Sequence, residues 1–155
     1  MYLTLKLLHI AAVIVFLGNI FTGLFWHAHA VRTRDPKLLA HTMEGVIRSD
    51  RLFTTPGVIV ILAAGLVLAF QANWPLLRTG WIVWTIVLFL LSGAIFGMRV
   101  APMQRELLTL ARQGTAGSFD FERYHARART LQRWGALALV APIGGLALMV
   151  LKPAL

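Results

Sequence analysis

Four uncharged apolar stretches, at about residues 2–26, 55–71, 81–99 and 134–151, alternate with polar segments along the chain. A helix rises 1.5 Å per residue, so about 20 apolar residues cross a hydrocarbon layer ~30 Å thick. Each stretch is close to that length. Only Lys6 and His9 place ionisable groups well inside one of them, and both lie in the first. The pattern predicts an all-α, four-transmembrane-helix bundle forming one integral membrane domain over residues 1–155.

The polar segments carry helical signals of their own. Asp35-Pro36 reads as an N-cap followed by a first-turn proline, and Leu39, Met43, Val46 and Ile47 recur at helical spacing. An amphipathic helix lying at the cytoplasmic membrane surface is expected there. Thr54-Thr55-Pro56-Gly57 reads as a start signal for the second span. The connection from Gln71 to Gly80 is short, which predicts that spans two and three are antiparallel neighbours. Trp74, Trp81 and Trp84 form one aromatic belt, and Trp26 and Trp134 mark the other.

The third span continues past Arg99 into residues 103–113, with Pro102 as a kink or restart. Residues 114–118 read as a turn from which Ser118 caps the next helix. Phe121, Tyr124, Ala128, Leu131 and Trp134 then lead into span four. These two arms predict a cytoplasmic helical hairpin standing out from the bilayer. Pro142 and Gly144-Gly145 are expected to kink span four. The two halves share a plan, but no residue-level repeat is visible.

Composition supports the membrane reading: 58 % of the 155 residues are hydrophobic, and the mean hydropathy is +0.73. With no cysteine, disulfides, thiolate zinc sites and iron–sulfur clusters are excluded. The net charge is +9, yet twelve of the fifteen basic residues lie in the two polar segments on one side of the bundle, as do all six acids. That is a positive-inside signature rather than a nucleic-acid footprint. It places both termini outside a bacterial inner membrane and makes anionic lipid headgroups the natural partner of the basic side. Ala28-His29-Ala30 looks like a cleavage site, but the apolar stretch before it is twice a usual signal-peptide core and lacks a basic lead.

His9 is the sharpest chemical signal. His9, Ala12, Phe16, Asn19 and Gly23 share an arc of about 80° on span one. Such a stripe serves helix packing, or offers a neutral imidazole to a metal centre, above all haem iron, or to a proton relay. His27 and His29 are ~27–30 Å from His9 along the helix, and His41 and His125 lie in the polar segments, so none shares an iron with it. Met149 could offer a thioether. His27, His29 and His41 suggest a copper or zinc site, though positions i and i+2 of a helix point ~200° apart, and interfacial histidines are the plainer reading. Arg51, with Thr54, Thr55 and Pro56, caps span two, binds headgroups, or clamps an anionic ligand group. Arg99 reads as a snorkelling anchor. No nucleophile triad, phosphate loop or carboxylate pair is present.

Leu5-Lys6-Leu7-Leu8-His9-Ile10, Arg51-x-x-x-Thr55-Pro56, Gly80-Trp81, Arg133-Trp134 and Lys152-Pro153 occur in an order that resembles an uncharacterised family of bacterial four-span membrane proteins. Asn19, Gly23 and Trp26 add to the likeness. More distantly, the chain resembles HemJ-type protoporphyrinogen oxidases and CopD-like copper-resistance proteins. The first resemblance implies haem b near His9 and redox work on a porphyrin with a redox partner. The second implies copper handling. The third span has Gly93-Ala94-Ile95-Phe96 where the HemJ type carries a histidine, so only His9 and Arg51 carry over. The expected function is a small haem- or porphyrin-binding redox protein with His9 as metal ligand and Asn19 and Arg51 as further cofactor contacts. The alternatives are a non-enzymatic interaction or assembly protein, with a second copy of the chain as one partner, and a copper-handling protein.

Overall fold

The computed structural model describes residues 1–154 and is helical almost throughout. Helix α1 covers Tyr2–Val31, α2 Pro36–Ser49, α3 Thr55–Gln71, α4 Gly80–Ile95, α5 Ala101–Ala116 and α6 Phe121–Leu151. Single π-helical turns, Asp50–Thr54 and Phe96–Val100, join α2 to α3 and α4 to α5 without a break. The molecule is therefore an up-down bundle of four long helices. All four are long and apolar enough to cross a membrane. At 36 and 37 residues, the two middle helices are roughly 54 Å long, well beyond the hydrocarbon layer.

Two prolines explain the π turns. A proline gives no N–H, and its ring collides with the carbonyl four residues earlier. Pro56 and Pro102 each sit six residues after the first residue of a π turn. The N–H of Thr55 reaches back five residues to Asp50, and that of Ala101 reaches back to Phe96. The Thr54-Thr55-Pro56 sequence thus widens a continuous helix instead of starting one.

At the end carrying residues 32–35 and 117–120, here the basic end, α1, α2, α5 and α6 close around a dense core. Leu39, Met43, Leu107, Ala111, Tyr124 and Ala128 are fully buried there. The stripe of α2 is amphipathic as expected, but it packs on α5 and does not lie along a membrane surface. Its apolar side chains find the equally long apolar stripe of α5. Asp35 caps α2 by accepting from the Lys37 N–H at 2.9 Å. Asp120, not Ser118, caps α6 by accepting from the Arg123 N–H at 3.0 Å.

In the apolar half, α1 pairs with α3 and α4 pairs with α6, and the pairs meet along α1 and α6. At Gly135 a Cβ would lie 2.7 Å from Leu24 Cδ2, so glycine there lets the Leu24 side chain lie close against α6. Helix α6 runs unbroken through Pro142. The Ala138 carbonyl, which Pro142 leaves without an N–H, accepts instead from the Ser92 hydroxyl at 2.6 Å. Helices α3 and α4 are not neighbours: no Cα of one comes within 8 Å of the other. Their short connection joins their ends without zipping their sides. At that far end Trp74 and Trp81 meet edge to face at 5.0 Å. The Lys152 ammonium sits 4.5 Å over the first ring and 5.5 Å over the second.

Candidate functional site: a cavity between the helix pairs

Because α3 and α4 stand apart, a cavity of about 320 Å³ lies between them, open on one side. Val58 and Leu62 of α3 and Phe89, Leu90 and Gly93 of α4 form its apolar walls. Phe16 of α1 also lines it and touches Phe89, with ring centroids 5.6 Å apart. The opening faces what would be bilayer, since Leu90 and neighbouring residues are exposed there.

Apart from Ser92, whose hydroxyl is bonded to the Ala138 carbonyl, the polar side chains lie on the basic-end side of this cavity. Asp50, only 9 % exposed, projects inward from the π turn. Its Oδ1 accepts from Asn19 Nδ2 at 3.0 Å and from the Thr54 hydroxyl at 2.9 Å, and its Oδ2 accepts from Gln104 Nε2 at 2.9 Å. Asn19 Nδ2 also donates to Thr54 Oγ1 at 2.9 Å. One carboxylate thus ties together α1, the π turn and α5.

His27 lines the cavity two turns beyond Asn19 on α1 and past the apolar stretch 2–26. It is 2 % exposed, and its Nε2 lies 3.1 Å from the Tyr124 hydroxyl. Its Nδ1 is buried without a partner. Burial holds the imidazole well below its ordinary range, at about 4, and pushes the Tyr124 phenol upward. His27 is therefore neutral and carries one spare hydrogen-bonding position.

The residues singled out in the sequence divide. Asn19 belongs to the cavity. His9 does not: it lies in the α1–α3 interface, where Nδ1–H donates to the Ile61 carbonyl at 3.0 Å. Gly65 leaves room for its ring, since a Cβ there would lie 3.1 Å from His9 Cε1. Arg51 is exposed on the outer face of the π turn, makes no ion pair among the described residues and does not line the cavity. Arg99 lies over the Trp134 ring at 5.4 Å. His29 and His41 are exposed, away from the buried His27.

A haem held by His9 would need space beside the ring, with or without a second donor. The cavity walls do not include His9, and Met149 packs against the Trp81 cluster at the far end. No group of three His, Asp or Glu side chains able to hold a metal occurs among the described residues. The bond to Ile61 makes His9 a clasp between α1 and α3.

Sequence reasoning missed Asp50, Gln104 and His27 as cavity residues. The signal for Asp50 was present. It follows Leu39, Met43 and Val46 at helical spacing, so an acid continues an apolar stripe. No curated protein and no solved structure matches the chain. The family model described as "Predicted integral membrane protein (DUF2269)" matches residues 3–153. With four spanning-length helices and a match over almost its whole length, the chain belongs to that family of integral membrane proteins.

Proposed function

We propose that this protein binds a lipid-soluble amphipathic molecule that enters sideways from the bilayer between α3 and α4. The carrying observation is the cavity itself, which has apolar walls toward the opening, where the Ser92 hydroxyl is already bonded to Ala138, and a cluster of polar side chains at the basic end. A guest with an apolar body and a small polar head matches that distribution. Asn19, Asp50, Thr54 and Gln104 meet the head, and Phe16, Leu62 and Phe89 meet the body. His27 Nδ1, which has no partner within the protein, offers a further contact. The positive-inside bias puts the polar end of the cavity toward the cytoplasm.

Gly93→Leu tests the reading. Gly93 lines the cavity, and a Cβ there meets nothing within 4 Å. Leucine has room at its Cβ, extends its branches into the cavity and improves helix propensity by about 0.5–1 kcal/mol. The expected result is a protein at least as stable as the parent that loses tenfold or more in affinity for an apolar fluorescent probe in lipid nanodiscs. Unchanged probe affinity would defeat the proposal.

A further inference from the structure

Asp50 stands apart from the other acids of the chain. Glu44 pairs with Arg112 at 3.1 Å and Glu106 with Arg127 at 3.0 Å, both on the surface. Asp35 and Asp120 cap helices. Asp50 is buried and has no cationic partner among the described residues; its three partners are neutral donors. Burial raises the Asp50 pKa, and the three neutral donors aimed at the carboxylate offset only part of that rise and bring no opposite charge. An ionised carboxylate offers about four acceptor positions, so one remains on Oδ2. A buried charge without a counter-charge is expensive.

The cavity around it has one sign. None of the fifteen Lys and Arg residues lines it, although the chain carries +9 overall. His27 is neutral there. Asp50 is therefore the one acid in the wall, and no cationic side chain faces it there. A fatty acid or a porphyrin propionate would bring like charge to it. An ammonium group would supply the missing partner and donate to the open position on Oδ2.

We infer that the guest is a lipophilic cation, an apolar body bearing a protonated amine, and that Asp50 selects it by charge. This rests on the lateral-cavity reading above and adds the sign of the head group. The test uses the full chain in phosphatidylcholine nanodiscs, with empty nanodiscs as background. Three probes share one fluorescent alkyl body and end in an amine, an alcohol or a carboxylate. The expected order is amine over alcohol by tenfold or more, with the carboxylate weakest. In Asp50→Asn, a near-isosteric change, the amine-to-alcohol ratio falls to about one.

Equal affinity for amine and alcohol in the parent protein overturns the charge inference, and this comparison holds even where the variant fails to fold. If Gly93→Leu still weakens both probes, the cavity reading survives that failure. If no probe binds above background, both readings fall together. Displacement of the amine by millimolar sodium chloride, and not by choline chloride, would assign Asp50 to a metal ion and overturn the proposal.

Discussion

The basic end and the apolar half of this bundle use the same long helices and pack them differently. At the basic end α2 and α5 meet along their lengths and bury Leu39, Met43, Leu107 and Tyr124 completely. One helical stretch further, their continuations α3 and α4 stand apart around a cavity. The solvent explains the difference. In water, an exposed apolar stripe is driven to close, at roughly 25 cal/mol per Å². In lipid, acyl chains cover apolar side chains as well as a neighbouring helix does, and only close packing and polar bonds hold helices together. The α1–α3 pair has such a bond from His9, Asn19 ties α1 to the π turn that leads into α3, and the α4–α6 pair has Ser92. Between α3 and α4 no hydrogen bond occurs among the described residues.

The largest test of this contrast compares leucines. Leu107→Ala should cost roughly 2–5 kcal/mol, because it opens a void in a filled core. Leu62→Ala, in the wall of an existing cavity, should cost well under half of that. Denaturant unfolding in detergent would measure both, and equal losses would break the comparison.

The second test is pH. His27 titrates at about 4 in the folded protein, against 6.5 for an unperturbed histidine. Between those values the unfolded chain takes up a proton that the native state refuses. Stability should therefore be unaffected by His27 above pH 6.5 and fall as pH drops toward 4, by roughly 3 kcal/mol in total. His27→Gln should flatten that part of the profile in unfolding experiments across the range.

Smaller effects belong to the apolar half. Ser92→Ala leaves the Ala138 carbonyl without its donor and should cost about 1–3 kcal/mol. His9→Ala removes one interhelical bond, for about 1 kcal/mol. Probe binding should survive the His9 change; if it were lost, the clasp reading of that residue would be wrong.

Much of the architecture was legible in the chain. Four apolar stretches set four helices, and the His9–Gly23 arc is the buried face of α1 as its spacing indicated. Gly57 meets Ala12 and Phe16 on that face, and Gly23 meets Val46. The gap between α3 and α4 was not legible. Hydropathy reports that a side chain suits oil, not whether the oil is lipid or protein, and a short loop fixes only where two helices begin to separate. Asp50 was hidden differently: counted among loop charges, it looked solvated, although its register on α2 pointed inward. His27 required its partner Tyr124, 97 positions away, which no local pattern connects to it.

Lys152, resting on Trp74 and Trp81, fastens the end of α6 to the connection between α3 and α4. The two helices that do not touch along their sides are thus moored at both ends, by that clasp above and by the α2–α5 contact below.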